Sequence, residues 1–250
     1  EQMLMEERRK YTNAKAGDDV LFADFMEQWL EIVKSTVSVP TYSSYVNAVK
    51  SIIAPYFRKK KTLLRDLQAH DIQMFYQEQL QRVKAPSVIH YHANLMSALK
   101  YATEMELISV NPMGKVKRPK LIQNTANFYT LEEAEHLISA VHGDPIEFPV
   151  IMAAYYGLRR SEIVGLRWKA IDFESDRITI DHTVIQVKVD GELKIIAKDR
   201  AKNKASCRSL PLMPQIKEML LQMKNEQEEN RRLCGNCYHD SEYVYVNKLG

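Results

Sequence analysis

From Phe22 onward, apolar residues recur at helical spacing. Phe22, Phe25, Met26, Trp29, Leu30, Ile32 and Val33 share one face, which predicts a first helix packed on a core. A second helix is predicted to open at Pro40-Thr41, with Tyr42, Tyr45, Val46, Val49, Ile52 and Ile53 on its apolar side and Pro55 interrupting it. Asp71 is the expected N-cap of a helix from Ile72 to Val83. Pro86-Ser87 starts another, carrying Val88, Tyr91, Leu95, Ala98, Leu99 and Ala102. No strand pattern separates these four helices, so residues 20–112 read as an all-α bundle closed by Asn111-Pro112.

The second half carries a different pattern. Thr130-Leu-Glu-Glu133 is a capping box, and the helix it starts places Leu131, Ala134, Leu137, Ile138 and Val141 on one face. A second domain is therefore expected from about Asn124 to the last residue, with 113–123 as a linker and 1–19 as a polar connector from an upstream segment. Phe148 to Tyr156 is largely apolar and reads as a buried helix, ended by Gly157 in a left-handed conformation. A short helix follows, with Ser161 and Glu162 in its first turn and Ile163, Val164 and Leu166 on its apolar side. Arg177 to Asp181 and Val184 to Val189 alternate as strands, and Asp190-Gly191 is a hairpin turn into Leu193 to Ala197, which implies a small antiparallel sheet. Pro214 to Arg232 is an amphipathic helix with Ile216, Met219, Leu220 and Met223 inward.

At 250 residues and 45% hydrophobic composition the chain has enough apolar surface for two modest cores. Its net charge of +3 is small, but basic residues cluster at Arg58 to Lys61, Lys115 to Lys120 and Lys198 to Arg208. Local positive patches favour a polyanionic partner, although each cluster alone also fits a solvated surface. No apolar run reaches the roughly 18 residues of a membrane span, and the N-terminus is charged and unlike a signal peptide. The 3 cysteines, an odd number, suit a reducing compartment, so the expectation is a soluble cytoplasmic protein. Cys234 and Cys237 have metal-ligand spacing, but a zinc site needs a second pair, and none appears. No metal or cofactor is expected, and no Gly-rich phosphate-cradling motif is present.

The densest chemistry lies at the corner after Gly157. Arg159 projects a planar donor fork toward the region where the next helix exposes its first N–H groups, and both attract an oxyanion such as phosphate. Glu162, three residues on, lies on the same helical face and is placed to orient the guanidinium. The plain alternative is a solvent-facing ion pair contributing only about 0.2–0.5 kcal/mol.

Tyr156-Gly-Leu-Arg-Arg-Ser-Glu-Ile-Val-Gly-Leu-Arg-Trp168 resembles the first conserved box of the tyrosine recombinases, the phage and transposon integrase family. The first half agrees: Phe22 to Leu30, Thr41 to Tyr45, Ile53 to Phe57 and Leu107 to Pro112 are similar, in the same order, to the core-DNA-binding domain of phage-type integrases. The implied fold is two-domain: an all-α, SAM-like core-DNA-binding bundle, then a mainly α catalytic domain with a small antiparallel β-sheet. The resemblance implies that Arg159 binds the scissile phosphate and that Glu162 supports the site. Ala201 to Leu212 resembles the hairpin carrying the family's mobile catalytic lysine, favouring Lys202 over Lys204. In the helical domain, Thr41, Ser43, Ser44, Lys50, Ser87, His90 and Lys100 are hydroxyl or basic groups suited to phosphate, though each is also an ordinary surface residue. Lys115, Lys117, Arg118 and Lys120 read as an extended linker tracking the DNA backbone.

None of the 7 histidines is followed three residues later by an arginine, and none of the 13 tyrosines stands out as a nucleophile. The family's second box and its tyrosine are therefore expected outside this chain. The expected activity is site-specific cutting and rejoining of double-stranded DNA for a phage or other mobile element, through a 3′-phosphotyrosyl intermediate. Self-association into a tetramer on DNA, accessory DNA-bending proteins and association with the nucleoid are implied with it. The alternative is a non-enzymatic DNA-binding regulator on the same scaffold; a type IB topoisomerase shares the chemistry, but the phage-type helical domain argues against it.

Overall fold

In the N-terminal half, aromatic side chains spaced for helices close on one another. Helix α1 (Phe22–Val33) buries Phe22, Ala23, Phe25, Met26, Trp29 and Leu30, while Ile32 and Val33 are only half-buried. The Phe22 ring meets Phe57 edge-on at 4.8 Å, and Trp29 stacks on Tyr45 at 5.5 Å. Such pairs contribute about 0.5–1.5 kcal/mol each beyond the area they bury. The computed structural model describes residues 20–121, 127–189, 191–199 and 207–250, and the chain forms two compact units, 1–125 and 126–250.

Pro55 does not interrupt the second helix. Helix α2 (Val39–Ala48) continues through a π-helical turn (Val49–Ile53) into α3 (Ala54–Lys60). Proline lacks an N–H, and its ring clashes with the carbonyl four residues back. The wider turn accommodates it: the N–H of Ala54 donates to the carbonyl of Val49, five residues back. Helix α4 (Ala69–Leu80) starts earlier than expected, because Asp71 is not its cap but reaches back from the third position to accept the Gln68 N–H at 2.9 Å. Helix α5 (Ala85–Glu104) contributes Val88, Leu95, Ala98, Leu99 and Ala102 to the core. A 3₁₀ turn (Pro112–Lys115) packs against α4 and α5, capped by the Asn111 side chain, and Met113 is only 2% exposed. The residues expected to begin the linker thus begin inside the bundle.

In the second unit, α6 (Leu131–Ala140) starts at the expected capping box, with Thr130 Oγ1 accepting from Glu133 N at 3.2 Å and Glu133 Oε2 from Thr130 N at 2.8 Å. Its expected apolar face is covered in part: Ala134, Leu137 and Ile138 are half-buried and Val141, just past the helix, is buried, while Leu131 is 75% exposed. Helix α7 (Glu147–Tyr156) is buried on one side only, through Phe148, Ile151 and Met152, with Ala153, Ala154 and Tyr155 exposed. Gly157 ends it at φ 61°, and α8 (Arg160–Val164) follows.

The strands form two sheets where one was expected. Strands β1 (Ile171–Asp172), β2 (Arg177–Ile180) and β5 (Arg208–Pro211) make a three-stranded antiparallel sheet in the order β1-β2-β5, while β3 (His182–Val189) and β4 (Glu192–Asp199) pair as a separate ribbon. The division falls at Asp181, between β2 and β3. Of the expected turn, Gly191 has φ 88°, and Asp190 lies outside the described residues. The core under the three-stranded sheet gathers Ile151, Met152, Ile163, Leu166, Ile178 and Ile180 with Ile216 and Leu220 of α9 (Pro214–Cys234) and Val244.

Gly165 lets the end of α8 press on the ribbon. A Cβ there would lie 2.8 Å from both Thr183 Cα and Val184 N, closer than any side chain tolerates. No helix among the described residues is long and apolar enough to cross a membrane.

Candidate active site

Arg159 occupies the N-cap of α8 with extended backbone, φ −74° and ψ 150°. Its position follows from the left-handed Gly157, which turns the chain, and from Leu158 and Ile163, which anchor either side of the corner in the core. Glu162, one turn into the helix, is 0% exposed. Burying a carboxylate costs several kcal/mol unless donors surround it, and here they do. Glu162 Oε2 accepts the Arg159 backbone N–H at 2.9 Å and Arg208 NH2 at 2.8 Å; Oε1 accepts Arg159 NH1 at 3.3 Å and Arg208 NH1 at 3.2 Å. The plain reading of a solvent-facing ion pair therefore fails on burial.

The two arginines differ. Arg208 grips the carboxylate with both terminal nitrogens, and this pairing holds its guanidinium above its usual pKa against the opposing effect of burial. Arg159 gives Glu162 one side-chain nitrogen and leaves the rest of its fork, on a side chain 74% exposed, without a partner among the described residues. Arg208 is the structural support and Arg159 the outward donor. Sequence reasoning missed Arg208, which sits at the end of the basic run 198–208. The β2–β5 register brings it in by setting it opposite Ile180. Lys202 and its alternative Lys204 lie outside the described residues.

On the helical unit, three of the candidate contacts converge. Ser44, Ser87 and His90 line one open groove of about 400 Å³ between α2 and α5, and Ser44 Oγ lies 3.0 Å from His90 Nε2. Asn47 and Tyr91 share its walls. Thr41 Oγ1 instead pairs with Ser38 Oγ at 2.9 Å, and Lys100 with Glu104 at 3.7 Å, while Ser43 and Lys50 lie outside the groove's lining. Lys115, Lys117, Arg118 and Lys120 all expose their side chains. Their backbone is tied down, however: Lys117 N donates to Gln73 Oε1 of α4 at 3.1 Å, and the charge of Arg118 adds to burial in holding the nearby His92 below its usual pKa.

Among the described residues no group of His, Cys, Asp and Glu is arranged to hold a metal ion. Cys234 Sγ instead lies 3.8 Å from the Lys248 carbonyl oxygen.

The phage integrase N-terminal SAM-like domain family matches residues 21–80. A tyrosine recombinase XerC-like protein of Caldanaerobacter subterraneus is 26% identical over 93% of the chain, and a prophage ps2 probable integrase of Lactococcus lactis is 23% identical over 99%. The chain spans 63% and 65% of the length of these two relatives. In fold it is similar to a Tn1549 transposon integrase in complex with transposon right end DNA, with TM-score 0.71 at 15% identity over 91% of this chain and 72% of that one. A lambda integrase tetramer bound to a Holliday junction gives TM-score 0.62 at 15% identity, covering 99% and 66%. Similarity to proteins named tyrosine recombinase or integrase thus runs through both units and across the Arg159 corner, in line with the resemblance carried by the box from Tyr156 to Trp168.

Proposed function

We propose that this chain is the DNA-gripping and phosphate-binding part of a site-specific DNA recombinase of a phage or other integrative mobile element. The observation that carries the reading is the buried Glu162 carboxylate, which fixes one arginine firmly and presents a second, Arg159, outward with donors to spare. That arrangement suits a phosphodiester: the Arg159 fork neutralises charge growing on the non-bridging oxygens of a pentacoordinate phosphate.

The reaction is a phosphoryl exchange. A tyrosine outside this chain forms an O–P bond to the scissile phosphate as the bond from phosphorus to the 5′-oxygen breaks, giving a 3′-phosphotyrosyl link. The tyrosine proton passes to a base, and Lys202 donates a proton to the departing 5′-oxygen. Rejoining runs these steps in reverse from a second strand's 5′-hydroxyl. Arg159 and Glu162 are the residues described here that act at the phosphate, with Arg208 holding Glu162.

The helical unit holds duplex DNA through the α2–α5 groove, where Ser44, Ser87 and His90 face phosphate, assisted by Lys115, Lys117, Arg118 and Lys120. Thr41, Ser43, Lys50 and Lys100 extend this contact surface around the groove. The lambda integrase tetramer supports a tetrameric assembly on DNA, and action on chromosomal DNA implies work in the cytoplasm at the nucleoid; accessory DNA-bending proteins would shape the recombination site.

A nicked duplex that loses a short strand on cleavage tests this reading, because the covalent adduct is then trapped. The full-length protein should yield a DNA-linked species that survives SDS and is destroyed by protease. Sequence-specific binding with no adduct would overturn the enzyme reading in favour of a DNA-binding regulator.

A further inference from the structure

Beyond the Glu162 centre, the second unit holds another charge cluster, centred on the buried Arg167, which is 6% exposed, while its partners Asp181 and Asp199 reach solvent. Its NH2 donates to Asp181 Oδ2 at 3.1 Å, and its NH1 lies 2.9 Å from Asp199 Oδ1. His182, 7% exposed, completes the cluster: Nδ1 lies 2.6 Å from Asp199 Oδ1 and Nε2 lies 3.1 Å from the Tyr243 hydroxyl. The backbones of Arg167 and Tyr243 also form a β-bridge.

The placement of these groups in the chain is informative. Asp181 immediately precedes β3 and Asp199 ends β4; His182 and Asp199 are the register pair at the open end of the ribbon. One guanidinium therefore straddles both strands where they enter and leave the fold. Arg167 itself follows α8 directly, three residues after its last residue Val164. Asp199 borders residues 200–206 on one side, and Arg208, held by Glu162, follows one residue beyond them on the other.

Stability alone does not call for this arrangement. A buried guanidinium can often be exchanged for an apolar residue at little or no cost, and here its Nε is buried with no hydrogen-bond partner among the described residues. Burial pushes the Arg167 pKa down, yet the hydrogen bond to Asp181 and the charges of Asp181, Asp199 and Glu242 leave it above its usual value. What an arginine supplies and a leucine does not is the simultaneous orientation of two particular carboxylates.

We infer that Arg167 is a positioning residue for the recombination chemistry: by holding Asp181 and Asp199 it fixes the point from which the Lys202 segment departs, as Glu162 and Arg208 fix the point to which it returns. The inference rests on the recombinase reading and on Lys202 as the general acid. Arg167 touches no substrate; it acts through the strand ends it holds.

The test compares two DNA substrates in the full-length protein: an ordinary phosphodiester, and one whose 5′-bridging oxygen is sulfur, which departs as a thiolate and needs no proton. Arg167→Met should slow cleavage of the ordinary substrate by about 10- to 100-fold, the scale of a misplaced catalytic group. Cleavage of the sulfur substrate should stay within about threefold of wild type, because the general acid is not needed there. Asp199→Asn, which keeps the side-chain shape, should give the same selective defect and covers the case in which the methionine variant folds poorly. Equal slowing on both substrates, or no slowing on either, would overturn the positioning role. Failure of the wild-type protein to cleave either substrate would refute the recombinase reading itself, a separate and recognisable result.

Discussion

Replacing Glu162 by Gln keeps the side chain's shape but removes its charge and turns one acceptor oxygen into a donor. Because each Glu162 oxygen receives one Arg208 nitrogen, either orientation of the amide sets an NH2 group against an Arg208 N–H. Charge-assisted hydrogen bonds contribute about 1.5–3 kcal/mol each, and roughly half of the four from Arg159 and Arg208 are removed. Stranding a buried charge costs about 3–5 kcal/mol, but the Arg208 and Arg159 side chains are 33% and 74% exposed and recover hydration. The expected loss is therefore about 2 kcal/mol. Urea unfolding followed by Trp168 fluorescence, in a Trp29→Phe background, reads the second unit. Double-mutant cycles then apportion the loss: the Glu162–Arg208 coupling should exceed about 1 kcal/mol, and the Glu162–Arg159 coupling should stay below about 0.5 kcal/mol. A Gln cost under about 0.5 kcal/mol, or couplings in the reverse order, would refute the assignment of Arg208 as support and Arg159 as outward donor.

Four further outcomes are expected. Gly165→Ala should cost about 1–3 kcal/mol, because the new methyl meets the backbone of Thr183 and Val184, which cannot swing aside; an unchanged melting temperature would mean that α8 and β3 are not in contact. Met113→Ala should cost about 2–4 kcal/mol, while Gly114→Ala, with open space around it, should change little; equal effects would place Met113 outside the core. Replacing Lys115, Lys117, Arg118 and Lys120 by Ala should weaken binding to all DNA sequences and lower the slope of log K against log salt by about 0.9 for each phosphate no longer neutralised; an unchanged slope would remove the linker from the interface. Asp199 is held below the usual carboxylate range chiefly by His182 and then by Arg167, so its stabilisation is complete above about pH 4 and is lost as pH falls through the lower folded value. Asp199→Asn should flatten the stability profile over that acidic range, and superimposable profiles would show that the pairing contributes nothing.

The parts of this fold legible in the sequence are those that local periodicity determines. The faces of α1 and α5, the Thr130 capping box and the left-handed Gly157 all follow from spacing and backbone chemistry within a few residues. Pro55 misled because a proline breaks an α-helical hydrogen bond without breaking the helical path, once a π turn widens it. Asp71 misled because the same side chain serves as a cap or as the third residue reaching back, and spacing alone does not distinguish them. The exposed Leu131 of α6 and the exposed side of α7 misled because an apolar stripe does not specify what covers it. At the candidate active site, the Arg159–Glu162 pair was visible as an i,i+3 neighbour, but Arg208 was not. Its approach to Glu162, 46 positions away in the chain, depends on the register of β2 with β5. The Arg167 cluster was hidden for the same reason, since Asp181, Asp199 and Tyr243 meet only once the ribbon and the C-terminal segment are in place.

Arg159→Lys in the full-length protein tests the central claim most directly, with strand cleavage and thermal stability measured on the same preparation. Lysine keeps the positive charge and loses the bidentate fork, and the native side chain is largely in solvent, so folding and DNA affinity should change little. Cleavage should fall by roughly 10²–10³, the loss expected when one preorganised donor to the transition state is removed. A lowered melting temperature with near-normal cleavage per folded molecule would contradict the claim that Arg159 acts on the scissile phosphate.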